Sequence, residues 1–280
     1  MTEPSAPRLI LARPDLAAAG LEGLVAAERY APTCPMRVAA AVAPVWRAPD
    51  AASERLDELI YGEAFEALET AGGFVWGQAA RDGYVGYAQA EALAPAGAAP
   101  THRVAALRTY AFAEPSIRSA ARGPFSLNAL VAVESEEGAF SRVADGAWFW
   151  SGHLAPIGCF ERDPAAVAER FLGAPYLWGG RTSVGLDCSG LIQQALYACG
   201  RACPRDTDQQ MAAFPCAIEP GGLERGDLVF WKGHVGMMLD WERMIHANAH
   251  HMAVVIEPLA EATLRIAAAG VGEPLGFRRP

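Results

Sequence analysis

The chain has 280 residues, 52% of them hydrophobic and 20% charged, which is enough for two or three compact units with real cores. A formal charge of −9 argues against nucleic acid or an anionic membrane surface as partner. No apolar run approaches the length of a membrane-crossing helix, and six cysteines without a Cys-x-x-Cys pair suggest reduced thiols rather than a disulfide framework.

The short apolar run Leu9-Ile-Leu-Ala12 has the wrong length and flanks for a secretory signal, so the reading is a cytoplasmic protein. Residues 1–32 are expected to form an N-terminal helical segment. Pro14-Asp15 offers a cap, and Leu16, Ala19, Leu24 and Ala27 suggest a helix interrupted by Gly20 and Gly23. From Met36 the texture changes to short β-like pieces at 36–42, 63–68, 74–78 and 83–88, with Gly72-Gly73 and Asp82-Gly83 as tight turns. Residues 33–95 therefore read as a small β-barrel. Ala94 to Pro100 is a linker by composition, and residues 101–158 repeat the texture with pieces at 103–110, 128–133, 139–143 and 147–150. Each unit ends on Leu-Ala-Pro, at 93–95 and 154–156, so two tandem barrels are expected.

Residues 163–280 read as α+β: Asp163-Pro164 caps a helix carrying Val167, Phe171 and Leu172, a second helix follows, and strands gather at 226–231, 234–240, 243–248 and 252–256. In the second helix Leu191, Ile192, Ala195, Leu196 and Cys199 recur at three- and four-residue steps, the stripe of a buried helix. Asp187 or a neighbour would cap it, which puts Cys188 in the first turn. Unpaired N–H groups and the helix dipole favour an anion there, so the thiol is expected to lose its proton easily and act as a nucleophile. His234, between Gly233 and Gly236, is the candidate base. His246 would hold the other ring nitrogen of His234, with Asn248, His250 and His251 as rivals for that place. The backbone N–H of Cys188 would meet the oxyanion. The Tyr176 hydroxyl would join it, unless Tyr176 only packs beneath the Gly179-Gly180 turn. A zinc site at His246, His250 and His251 is not expected: in strand-like sequence, positions four apart stand far from one another, and no Glu lies between them as a base.

These residues resemble the NlpC family of papain-like cell-wall cysteine peptidases. The matching pieces are Tyr176-Leu-Trp-Gly-Gly180, Leu186-Asp-Cys-Ser-Gly190, Pro204-Arg-Asp-Thr207, Arg225-Gly-Asp-Leu-Val-Phe230, Gly233-His-Val-Gly236 and Ile245-His-Ala-Asn248. The resemblance implies the same roles for Cys188, His234 and His246. It also likens the front half to the bacterial SH3-like domains that accompany such peptidases. In relatives that cut short free peptides, an acidic residue and a serine near the nucleophile hold the substrate's free amino group; this carries to Asp206 and Ser189. Arg205 would pair with Asp206 or with a substrate carboxylate, although a surface ion pair of little worth is the plainer reading. Tyr84 matches a site-walling tyrosine of the relatives, or else is a core or turn residue.

The expected function is hydrolysis of the γ-D-glutamyl–diamino acid bond in murein peptides, without a cofactor, metal, nucleic acid or membrane partner. Two alternatives are a murein- or partner-binding protein with a weak or inactive catalytic domain, and an acyltransferase on the same fold.

Overall fold

The computed structural model describes residues 8–280, so the first seven residues of the expected helical segment lie outside it. The chain divides into two compact units. One holds the residues up to 154 apart from 105–108; the other holds 105–108 and 155–280.

The first unit is built of strands. After β1 (Ala17–Ala18) and β2 (Tyr30–Ala31) come β3 (Cys34–Val38), β4 (Val42–Trp46), β5 (Arg55–Ile60), β6 (Ala64–Ala71), β7 (Phe74–Ala79), β8 (Val85–Gln89) and β9 (Leu93–Pro95). The helix expected before residue 32 is absent among the described residues: a single 3-10 turn, Ala19–Leu21, lies between β1 and β2. The reason is visible in burial. Leu16 is 1% exposed and Leu24 76%, so the apolar residues do not share a face that could be buried.

Strands β3 to β9 form one sheet in the order β5-β4-β8-β7-β6-β3-β9, wrapped about Val38, Val45, Leu59, Phe65, Val75, Tyr84 and Ala88. The Gly72-Gly73 turn joins β6 to β7 with φ of 59° and 82°, both left-handed, as a two-residue hairpin turn requires. The second half of the unit runs β10 (His102–Val104), β11 (Arg108–Phe112), β12 (Ala121–Ser126), β13 (Leu130–Val131), β14 (Val133–Glu137), β15 (Phe140–Val143), β16 (Trp148–Trp150) and β17 (Leu154–Pro156). Its sheets run β12-β11-β16-β15-β14 and β13-β10-β17. Matched strand for strand, this is the order of the first half, with the counterpart of β6 broken at Ala132 into β13 and β14.

The second unit is α+β. Helix α1 (Pro164–Glu169) is capped by Asp163, whose Oδ1 accepts from the N–H groups of Ala165 at 2.9 Å and Ala166 at 3.2 Å. The short hairpin β18 (Arg181–Thr182) and β19 (Gly185–Leu186) leads into α2 (Cys188–Ala198), which is followed by α3 (Thr207–Ala213). Then come β20 (Cys216–Ile218), β21 (Leu228–Trp231), β22 (His234–Met238), β23 (Arg243–Asn248), β24 (Ala253–Pro258), α4 (Leu259–Ala268) and β25 (Gly276–Arg279). The sheet order is β20-β25-β21-β22-β23-β24. Every residue of α2 is buried, so the helix is a core element packed on β22 and β23. No helix among the described residues is long and apolar enough to cross a membrane.

Candidate active site

Two glycines explain how the loop before α2 meets that helix. A Cβ at Gly190 would lie 2.3 Å from the Gly180 carbonyl oxygen, and one at Gly180 would lie 2.5 Å from that of Gly185. Backbone therefore packs on backbone, and the first turn of α2 is drawn against the loop that carries Tyr176.

Asp187 caps α2 and organises the turn. Its Oδ1 accepts from the Gly190 N–H at 2.8 Å and the Ser189 hydroxyl at 3.1 Å, and its Oδ2 from the Gly179 N–H at 2.9 Å. Arg205 closes the group with a forked contact: one terminal nitrogen lies 3.0 Å from Oδ1, the other 2.5 Å from Oδ2, and the first also donates to Ser189 Oγ at 2.6 Å. This corrects the sequence reading of Arg205. At 1% exposed it is not in a surface ion pair. A guanidinium at that depth needs a carboxylate, and Asp187 provides it.

Cys188 is 5% exposed at the first position of α2. Burial pushes its thiol up to about 12, and the Asp187 carboxylate adds to the rise. The N–H groups of Val235 and Ser189 and the charge of Arg205 pull the other way without prevailing. The easily lost proton expected from a helix N-terminus is therefore not found in the resting site. Desolvation and a neighbouring carboxylate outweigh the dipole.

The Val235 N–H that reaches the thiol belongs to β22, whose first residue is His234. A two-residue turn with Gly233 at φ 73° sets the strand start. His234 Nε2 lies 2.7 Å from His246 Nδ1 on the neighbouring β23. Gly236 leaves room for the two rings to meet: a Cβ there would come within 3.5 Å of His246 Cβ and 3.0 Å of the Met244 sulfur. Burial is the main cause that lowers both imidazoles, His234 to about 3, helped in its case by His246 and Arg265. The resting pair is thus a neutral thiol and a neutral imidazole.

Behind His246 the structure adds residues that the sequence did not reveal. Glu257 Oε1 lies 2.5 Å from His246 Nε2, and Arg265 of α4 contacts the same oxygen. The register explains the meeting. Val255 is paired with His246 across β23 and β24, so Glu257, two residues on, shares its face. Asn248, a rival for the third position, lies 2.9 Å from His246 Nε2 through its amide nitrogen. His250 and His251 stand edge to face in the following turn with ring centroids 4.7 Å apart, and His251 Nδ1 is 3.0 Å from Asn248 Oδ1. Among the described residues no three His, Cys, Asp or Glu side chains are grouped to hold a metal ion.

Tyr176 is half-buried, close enough to Cys188 and Asp187 for their charges to act on it. Burial above all, and then those charges, hold its hydroxyl protonated well above the ordinary range. It is a donor at any working pH. Asp206 stands at the N-cap of α3, half-buried, with its N–H bonded to Gln209 Oε1 at 3.2 Å. The next turn of α3 reaches back to α2, where Gln210 Nε2 donates to the Ser189 carbonyl at 3.1 Å. Tyr84 is 3% exposed in the core inside the β3–β9 sheet, its N–H donating to Asp82 Oδ1 at 3.1 Å.

Residues 173–271 match the NlpC/P60 family, and residues 45–93 match the bacterial dipeptidyl-peptidase Sh3 domain. A γ-D-glutamyl-L-lysine dipeptidyl-peptidase of Bacillus cereus is 33% identical over 129 residues, which are 43% of this chain and 38% of that protein. The protein of that name from Bacillus subtilis is 35% identical over 99 residues, 32% of this chain and 33% of the relative. The chain thus spans well under two thirds of the curated relatives it matches. A solved NlpC/P60 family protein from Bacillus cereus superposes with a TM-score of 0.75 at 20% identity, over 88% of this chain and 99% of the other, and so shares its fold. The chain carries an NlpC/P60 domain of papain-like fold and a bacterial dipeptidyl-peptidase SH3 domain.

Proposed function

We propose that this chain, with its NlpC/P60 domain and its SH3 domain, is a cysteine peptidase that hydrolyses the γ-D-glutamyl–diamino acid bond of murein peptides. It acts as a dipeptidyl-peptidase on short peptides with a free N-terminal L-Ala, in the cytoplasm, during recycling of cell-wall fragments. The observation that carries the reading is the His234–His246 hydrogen bond beside a cysteine at the start of a buried helix.

With thiol and imidazole both neutral at rest, the proton moves as the bond forms. Cys188 Sγ attacks the γ-carbonyl carbon while His234 Nδ1, the ring nitrogen not engaged by His246, takes the thiol proton. The carbonyl oxygen gains the negative charge and is met by the Cys188 N–H and the Tyr176 hydroxyl. The amide C–N bond then breaks, and the proton passes from His234 to the leaving amine of the diamino acid. Water, deprotonated by the same imidazole, attacks the thioester carbon and returns the thiol.

The names of the relatives support a dipeptidyl release. The chemistry for it here is Asp206 as the partner of the substrate ammonium, with Ser189 as the second group that the resemblance assigns to it. In a closed subsite that ammonium needs a carboxylate, because water no longer solvates it. The repeated strand order supports a second SH3-like barrel in residues 101–158.

The test is incubation with L-Ala-γ-D-Glu-diaminopimelate, with products read by mass. Release of L-Ala-γ-D-Glu is expected, and acetylation of the amine should cut kcat/KM by about 100-fold, equivalent to roughly 3 kcal/mol. Asp206→Asn should cause a similar loss on the free peptide and a much smaller one on the capped peptide. Equal cleavage of capped and free peptides would sink the closed-subsite reading and favour an endopeptidase acting on the wall.

A further inference from the structure

Two groups compete for one atom of the histidine relay. His246 Nε2 lies 2.5 Å from Glu257 Oε1, an acceptor, and 2.9 Å from Asn248 Nδ2, a donor. The amide is not ambiguous in its orientation. Asn248 Oδ1 accepts from the His251 backbone N–H at 2.8 Å, which turns the NH2 end toward the imidazole. A ring nitrogen either carries a proton or offers a lone pair, so Nε2 can satisfy only one of the two.

Each choice propagates through the 2.7 Å contact between the rings. If Asn248 donates to Nε2, the proton of neutral His246 sits on Nδ1 and points at His234 Nε2. That nitrogen must then be the acceptor, and the proton of His234 is forced onto its Nδ1. If Nε2–H donates to Glu257, His246 Nδ1 is the acceptor, His234 carries its proton on Nε2, and His234 Nδ1 keeps a lone pair. Only the second arrangement leaves a base for the thiol.

We propose that Glu257 is the positioning residue that fixes the tautomers of both histidines and so keeps His234 Nδ1 unprotonated. A hydrogen bond to an ionised carboxylate is roughly twice as strong as one between neutral groups, which decides against Asn248. Arg265 engages the same Glu257 oxygen, and the carboxyl lies at about 2; the rise from burial is overcome by His246 and Arg265, so Glu257 is ionised at any working pH. His246 is 0% exposed, so bulk water has no access to satisfy Nε2 in place of the protein groups. The consequence for turnover rests on the peptidase reading above; the tautomer assignment does not.

The experiment is 15N NMR of the full chain labelled at histidine. In the wild type at pH 7 both His234 and His246 should show a protonated Nε2 and an unprotonated Nδ1. Glu257→Ala leaves Nε2 the Asn248 donor in place of the carboxylate and should invert both rings, while Glu257→Gln, which keeps the shape but loses the charge, should give a mixture. On the murein tripeptide, Glu257→Ala should lower kcat by on the order of 100-fold or more with KM changed only a few-fold, because the wrong tautomer removes the base and leaves binding alone. A protonated Nδ1 on His246 in the wild type, or an unchanged 15N pattern in Glu257→Ala, would overturn the assignment. A wild-type kcat in a variant with inverted rings would overturn its catalytic role. The spectra need no substrate, so a chain inactive on the peptide would remove the peptidase reading without touching this test.

Discussion

Each unit holds an arginine against a buried carboxylate, and the two pairs have different work. In the catalytic unit Arg205 grips Asp187, the cap of α2, with both groups all but sealed from water. In the barrel unit Arg81 meets Glu63 at 2.9 Å; Glu63 also accepts from the Ile60 N–H at 3.1 Å, and Arg81 reaches the Asn128 carbonyl at 3.3 Å. The second pair ties residues 63–81 to the stretch around Asn128 within the barrel unit. It works alongside the Leu130 N–H bonded to the Tyr61 carbonyl at 2.8 Å, where a Cβ on Gly62 would collide with the Leu130 backbone. One pair sits a residue away from the Cys188 sulfur and the other holds a joint, so the same physics should give different losses when each is broken.

The largest effect should come from the thiol itself. Cys188→Ala should lower kcat by on the order of 10⁵-fold and leave the melting temperature within a few degrees, because one small buried side chain replaces another. Circular dichroism and the peptide assay check this together. A variant that unfolds would show that the sulfur is needed for packing rather than for chemistry.

Breaking the two pairs sharpens the comparison. Arg205→Met leaves the Asp187 carboxylate buried without its cation and should destabilise the catalytic unit by about 3–5 kcal/mol while also lowering activity. Arg81→Met removes the Arg81 charge from Glu63, but Arg81 is 22% exposed and water can enter, so about 2–3 kcal/mol is expected, with kcat retained. Denaturant unfolding with kinetics at low denaturant separates the outcomes. Equal activity losses in both variants would erase the distinction between site and joint.

The legibility of the sequence follows the same division. The catalytic pieces could be read because their chemistry is local: Gly180 and Gly190 are needed for backbone contact, and Cys188 marks a helix start. Glu257 and Arg265 could not be read, since only the register of β23 against β24 and the return of α4 bring them to His246. In the first half of the barrel unit, β4 and β5 escaped. Pro44 interrupts one, and the other carries Asp57 and Glu58, which a polar-outside pattern assigns to solvent although they are 0% and 2% exposed. The family signature covers residues 45–93 alone, whereas the strand order of residues 102–156 follows that of the first half.

A smaller effect, graded with pH, should mark the catalytic unit. Burial holds His234 at about 3, below the ordinary 6.5 of the unfolded chain. The unfolded state therefore binds the extra proton first. The stabilising contribution of the neutral ring is complete above pH 6.5 and is lost as pH falls toward 3, at up to about 1.4 kcal/mol per pH unit. His234→Gln should flatten the fall in stability between pH 6 and pH 4. A wild-type slope in that variant would show that the ring is not the group being titrated.

The smallest effect tests whether depth, rather than the number of ion contacts, decides the outcome. Arg225 also holds two carboxylates, Asp163 at 2.7 Å and Glu169 at 2.5 Å, as many oxygens as Arg205 binds in Asp187. All three side chains are about two-fifths exposed, so water already solvates them and salt screens their attraction. Asp163 keeps its second task as the cap of α1 whether or not the arginine is present. Arg225→Gln should therefore cost about 0.5 kcal/mol and no more than about 1 kcal/mol, shrinking further at high salt, while Asp163→Ala should cost about 1 kcal/mol more through the lost cap. A loss in Arg225→Gln comparable to that in Arg205→Met, and indifferent to salt, would mean that exposure does not set the worth of these pairs, and the contrast between buried and surface arginines in this chain would fail.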